Sequence, residues 1–199
     1  MFPNRKTAVM DRLAFLHDSL FSPIERHLDG LVPLMARFVF AATLLMYFWS
    51  SALTKLGDGV LGIFIPSTGA YAQIFPKQME AVVYDVSQLS IFHWAVVVAG
   101  TWAEFILPLL IVIGLFTRLA ALGMIGFVVV QSLTDLYGHG AIAYPETLGA
   151  WFDKVPDSLI LDQRAFWMLI LVTLVIKGAG ALSLDRILSR QILGAPATV

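Results

Sequence analysis

Residues 92–116 read FHWAVVVAGTWAEFILPLLIVIGLF, and in that stretch only Glu104 carries a formal charge. A helix rising about 1.5 Å per residue over this length covers the roughly 30 Å of a bilayer's hydrocarbon core. The segment therefore reads as a membrane span with one acid near its middle. Three further apolar stretches of spanning length, Leu31 to Leu53, Leu119 to Leu136 and Phe166 to Leu182, complete the set. The expected fold is all-α: a four-transmembrane-helix bundle with an N-terminal interfacial helix and an amphipathic helix in the first outer loop.

Composition agrees. Hydrophobic residues make up 58% of the chain and charged residues 14%, with a mean hydropathy of +0.81. Soluble domains run at about 45–50% apolar and about 25% charged. With 199 residues and four spans, one membrane domain over 31–185 uses most of the chain, between a leader at 1–30 and a tail at 186–199. The net charge of -1 and the absence of any basic run argue against nucleic acid as a partner. The chain has no cysteine, which excludes disulfides, thiolate metal sites and dithiol relays. Any redox role must use a bound carrier.

In the leader, Leu13, Leu16, Leu20, Ile24 and Leu28 fall three and four apart among Arg5, Lys6, Arg12 and Arg26, the pattern of a helix lying in the interface. Ser22-Pro23-Ile24-Glu25 has capping-box spacing with Pro at the first helical position, so a second short helix is expected from there to Gly30. No small-residue cleavage site follows the first apolar stretch, which Arg37 interrupts, and the N-terminus is read as retained.

Positive charge predicts the orientation. Eight Lys and Arg flank the spans on the side of the termini (Arg5, Lys6, Arg12, Arg26, Arg118, Lys177, Arg186, Arg190), against Lys55, Lys77, Lys154 and Arg164 on the other. Both termini are therefore expected in the cytoplasm of a bacterial inner-membrane protein. In the first outer loop, residues 56–91, Phe75, Met79, Val82, Val83 and Val86 recur at helical spacing opposite polar residues. The second, 137–165, mixes glycine and proline with Tyr144, Trp151 and Phe152 and reads as an irregular interfacial cap. A faint repeat runs through the chain: span one opens at Arg37 and closes in Leu53-Thr54-Lys55-Leu56, span three opens at Arg118 and closes in Leu133-Thr134-Asp135-Leu136. It sets Lys55 against Asp135 as matched positions, but for so short a match coincidence is the preferred reading.

Glu104 is the most informative side chain. An ionised carboxylate at mid-bilayer costs roughly 2.5–3.5 kcal/mol on insertion scales, so it should face the bundle interior. Pro108 has no N–H for the carbonyl of residue 104, which predicts a kink beside the acid. His93 lies three turns before Glu104 on nearly the same face and could line one path with it. Gln131, Asp135 and His139 recur every four residues on span three, and Ser51 and Lys55 do so on span one. Arg37 and Lys55 share a face of span one, and Arg37 could reach toward Glu104. The plainer readings are that Arg37, Lys55 and Arg118 are snorkelling anchors, that Pro108 is an ordinary kink and that His93 belongs to the interface. For Glu104 the plainer reading is a structural pair with Arg37. A metal site from His93, Asp135 and His139 lacks any close-spaced ligand motif and is not assigned. No dinucleotide fingerprint, phosphate loop or nucleophile elbow is present.

Three clusters resemble the DoxX family of small bacterial membrane proteins. They are Arg37 with the segment from Phe48-Trp49 to Thr54-Lys55-Leu56, Ala103-Glu104 through Pro108 to Gly114-Leu115-Phe116-Thr117-Arg118-Leu119, and Gly178-Ala179-Gly180-Ala181-Leu182-Ser183-Leu184-Asp185. The resemblance implies a four-helix membrane protein, some relatives being quinone-linked subunits of thiosulfate oxidation and others tied to oxidative or metal stress. The long leader and aromatic outer loops depart from a minimal member.

Three functions follow as expectations. The first is an accessory membrane subunit holding a quinone-type carrier for a membrane or periplasmic redox partner, with Glu104 or His93 exchanging protons. Trp49, Trp94 and Trp102 would wall the carrier, and Arg37 would set the charge of Glu104. The second is a non-catalytic scaffold docking a partner through the outer loops. The third is a small metal or solute transporter using the polar face from Glu104 to His139.

Overall fold

The computed structural model describes residues 5–28 and 30–193, all of whose regular structure is helical. After the leader helix α1 (Arg5–Leu28) come four helices long and apolar enough to cross a membrane. These are α2 (Leu31–Lys55), α5 (Ile91–Ile113), α6 (Thr117–Gly138) and α8 (Leu159–Lys177). Between α2 and α5 lie the short α3 (Thr68–Ile74) and α4 (Pro76–Ala81). A single turn, α7 (Pro145–Leu148), precedes α8, and α9 (Leu184–Leu193) follows it. Each span packs on its sequence neighbour, and α8 returns to α2 and closes the ring.

The main core joins Phe40, Leu44 and Phe48 of α2 to Ile111 of α5, Ala120, Ala121, Met124 and Val128 of α6, and Leu171 and Leu174 of α8. Small residues let α6 approach its neighbours, as membrane helices without a hydrophobic drive between them require. A Cβ on Gly123 would come within 3.2 Å of the Leu107 methyls. Leu119, Leu122, Leu169 and Ile176 remain exposed, as residues facing acyl chains should. Pro108 is fully buried within an otherwise continuous α5.

One end of the bundle carries the start of α2 and the tight α5–α6 and α8–α9 turns; it is called the terminal end below, and the opposite end the loop end. At the terminal end α5 stops at Gly114, in the left-handed region at φ +72°. A Cβ there would stand 2.6 Å from that of Ser183 and 2.9 Å from the Arg37 guanidinium carbon, so only glycine fits. Arg37 donates from Nε to the Ile111 carbonyl at 3.0 Å, from Nη1 to those of Ala179 at 2.9 Å and Leu182, and from Nη2 to that of Val112. One buried guanidinium thus satisfies carbonyls that two chain reversals leave orphaned. Asp185 works from the other side, accepting from the N–H groups of Phe116 at 2.7 Å and Thr117 at 3.0 Å. It thereby caps α6 and holds Phe116 at a positive φ of 47°.

Several expectations need correction. The leader is one helix rather than two, with Pro23 inside it, and its stripe from Leu13 to Leu28 is exposed. Span four runs over Leu159–Lys177, not Phe166 to Leu182. Leu159–Gln163 forms a wide π-helical turn at its start, and Gly178 at φ +77° ends it. The charges of Asp162 and Arg164 made this first turn read as loop. Span three is longer at both ends than Leu119 to Leu136, and α5 ends before Phe116 because Gly114 terminates it.

The first long loop is amphipathic as expected, but Pro76 splits it into α3 and α4. Tyr71 and Met79 are buried there against Val97 of α5, and Val83 and Tyr84 take positive φ values in the turn that follows. Trp94 and Trp102 donate from Nε1 to the carbonyls of Phe64 at 2.8 Å and Ile63 at 3.1 Å, tying the loop to α5. Trp151 likewise donates to the Leu161 carbonyl at 3.1 Å.

Candidate intramembrane site

Residues four apart on a helix share a face, and this brings Ser51 and Lys55 of α2 together against α5. Lys55 Nζ lies 2.8 Å from Glu104 Oε2, 3.0 Å from Oε1 and 2.6 Å from Ser51 Oγ. Ser51 Oγ donates to Glu104 Oε1 at 3.1 Å. The Lys55 and Glu104 side chains are 6% and 3% exposed. The acid thus faces inward, and its partner is Lys55 rather than Arg37. Arg37 lies near the start of α2 and spends its donors on backbone carbonyls at the other end of the bundle. Burying two ions in this way is tolerable only when geometry and extra hydrogen bonds repay the desolvation, and removing one partner is costly.

A second ion pair joins α6 to α8. Arg164 Nη2 donates to Asp135 Oδ2, and Nη1 to Ser132 Oγ at 2.8 Å. Arg164 was counted among the loop charges, but its side chain is only 4% exposed and its guanidinium lies 5.9 Å from the centre of the Trp167 ring. Both partners sit at wide π-helical turns, Thr134–Gly138 and Leu159–Gln163, a local geometry frequent at functional sites. Arg164 Nε is buried without a hydrogen-bond partner, and so is Gln131 Oε1, while Gln131 Nε2 donates to the Tyr47 hydroxyl at 3.0 Å.

These groups line one cavity of about 770 Å³ at the loop end of the bundle. Lys55, Glu104, Gln131, Asp135 and His139 all line it, together with Tyr47, Ser51, Gln73 and Arg164. The every-fourth-residue stripe on α6 is therefore a cavity wall. His139 Nε2 is 2.9 Å from the Gln73 carbonyl, which ties that wall to α3. Gly100, Ala103, Gly123 and Gly126 leave the apolar part of the space open, and a Cβ added at Gly126 would meet nothing within 4 Å. The volume falls within the roughly 300–1,000 Å³ of small-molecule sites, whose walls are mostly apolar with a few placed polar groups.

Four sequence candidates stand elsewhere. His93 does not line the cavity: its Nδ1 lies 2.9 Å from Ser90 Oγ in the capping box that starts α5, and its ring meets Phe75 edge-on. It does not share the cavity with Glu104, and among the described residues it forms no ligand cluster with Asp135 and His139. Trp49, Trp94 and Trp102 do not line the cavity either; Trp49 donates to the Phe105 carbonyl at 3.2 Å. Arg164, Tyr47 and Gln73 were missed. For Arg164 the available signal was an arginine within reach of a membrane span, where an acid is needed as partner.

The fold and cavity define a class: polytopic helical membrane proteins with a charged, part-apolar chamber inside the bundle. The DoxX family pattern matches residues 32–134, more than half of the chain and both members of the Lys55–Glu104 pair. The protein belongs to the DoxX family. No curated protein and no solved structure matches it.

Proposed function

We propose that this protein is an accessory subunit of a membrane redox system and that its cavity holds the head group of a quinone-type carrier. The observation that carries the reading is the cavity itself, walled by two ion pairs and two polar atoms without partners inside an apolar bundle. A carbonyl-bearing ring suits that lining. Arg164 Nε is an unused donor, Gln131 offers an amide with one free atom, and the small-residue strip on α5 and α6 has room for an apolar ring and chain. When bound, a quinone supplies two-electron, two-proton redox chemistry. The chain has no cysteine, and in this reading the electrons come from a partner protein.

The protein's residues orient and exchange protons. Glu104 is held by Lys55 Nζ and Ser51 Oγ, and in this reading its carboxyl takes up and returns the carrier's protons. Asp135, 29% exposed, and His139 lie nearer the loop end and offer a route for protons to that side. Lys55, not Arg37, is the cation in contact with Glu104. With Lys55 and Arg164 buried in ion pairs, only Lys77 and Lys154 remain as loop-end flanking charges against eight at the terminal end. That strengthens the reading of a bacterial inner-membrane protein with both termini in the cytoplasm.

The test is purification in mild detergent followed by solvent extraction and quantification of quinone. The wild type is expected to carry stoichiometric quinone and Gly126→Leu, which fills the chamber, to carry none while eluting as the same species. Glu104→Gln leaves buried Lys55 without its counterion and should cost about 3–5 kcal/mol; in the fraction that still assembles it should abolish quinone-dependent turnover with the copurifying partner. Equal quinone in wild type and Gly126→Leu would sink the reading. A second reading, a scaffold docking a partner through its loops, is favoured by Phe152, fully exposed on a positive φ of 67°. In that case Phe152→Ser would release the partner while Gly126→Leu would not.

A further inference from the structure

At the terminal end a second cleft, of about 490 Å³, opens between the start of α6, the end of α8 and α9. Three cations from three elements line it: Arg118, Lys177 and Arg186. The acid that also lines it, Asp185, is engaged with the Phe116 and Thr117 N–H groups, so the lining keeps a net positive charge. Gly178 shapes the wall: at φ +77° its absent Cβ would stand 3.2 Å from Arg118 Nε, so the missing side chain lets the arginine lie against the chain reversal. Thr117, also in the lining, is fully buried, and its Oγ1 has no hydrogen-bond partner. None of these groups belongs to the chamber at the loop end.

We infer that this cleft binds the phosphate of an anionic lipid headgroup. Phosphate offers several acceptor oxygens, and arginine matches that geometry with paired donors. The cleft lies where two spans end, at the depth of headgroups, and basic pockets between membrane helices on the cytoplasmic side are lipid sites by this same chemistry. A lipid fits better than free phosphate because exposed Phe116 and Leu119 share the lining with the cations and give acyl chains a surface to lie on. Snorkelling anchors alone do not explain why the three cations converge on one concavity.

The experiment is thermal unfolding of delipidated protein in detergent with phosphatidylglycerol, phosphatidylcholine or inorganic phosphate added. Phosphatidylglycerol is expected to raise the midpoint saturably; the other two are not. Arg118→Gln, at an exposed side chain, and the Arg118→Gln/Arg186→Gln pair should weaken the apparent affinity at least tenfold, with midpoints in phosphatidylcholine unchanged. Arg190→Gln, on α9 but outside the cleft, should keep the full response. Native mass spectrometry should show phosphatidylglycerol retained by the wild type and lost from the pair. An equal shift with inorganic phosphate, an equal loss in Arg190→Gln, or an undiminished response in the pair would each overturn the assignment.

Discussion

The two ends of this bundle bury charge in opposite ways. At the terminal end Arg37 spends its donors on the carbonyls of Ile111, Val112, Ala179 and Leu182, and Asp185 takes two backbone N–H groups. Charge meets backbone there, and chain reversals are locked. At the loop end Lys55 meets Glu104 and Arg164 meets Asp135, side chain to side chain around open space. A side chain that completes the backbone has little freedom left for a ligand. An ion pair on a cavity wall can trade a partner for one, and this contrast separates framework from site.

The largest effect should come from breaking the lock. Arg37→Met leaves up to four carbonyls without a donor, at about 1–3 kcal/mol for each one still buried. The variant is expected to lose at least about 4 kcal/mol and to fail to accumulate as a monodisperse species in size-exclusion chromatography. Stability equal to wild type would mean that the turns hold without it.

Next is the buried pair in the chamber. Lys55→Met strands Glu104 and should cost about 3–5 kcal/mol, whereas Lys55→Met/Glu104→Met should recover most of that loss. Both would be read by denaturant titration in detergent. A double variant no better than the single one would show that the loop end, too, is framework.

Asp185→Asn keeps the shape of the cap but removes its charge, and should cost about 1 kcal/mol by the same titration. The smallest effect lies outside the membrane. Asp85 accepts hydrogen bonds from the Ser87 hydroxyl, the Gln88 amide and the Ser87 N–H, which hold its carboxyl below the usual carboxylate range. Its contribution is therefore full above the usual range and fades as pH falls through the depressed value. Protection of the Ser87 amide, measured against the intrinsic exchange rate at each pH, should fall over that acidic window, and Asp85→Asn should remove this pH dependence of the protection.

Much of the membrane domain was legible because bilayer thickness sets helix length and oil penalises stray charge. The number of spans, the inward turn of Glu104 and the stripe Gln131, Asp135, His139 follow from that, while the bounds of the fourth span do not. Arg164 was misplaced for the same reason: a charge close to a span's end reads as an anchor unless its partner is known. The partner, Asp135, lies 29 residues away on another helix. His93 was over-read because helical periodicity puts it on the face of Glu104, while the capping box at Ser90 claims it locally. Lys55 and Asp135, the matched positions of the faint repeat, each meet an opposite charge from the following span.

By itself the amino-acid order determined that this chain lives in a bilayer, how many times it crosses, and that its one mid-span acid turns inward, because these depend on length and solvation along a single helix. Which cation meets that acid, and which lysines and arginines are sealed inside, was decided only by packing. Salt-bridge partners are chosen by distances between helices, and the π-helical turns and glycine-terminated ends that set those distances arise only when four helices close on one another.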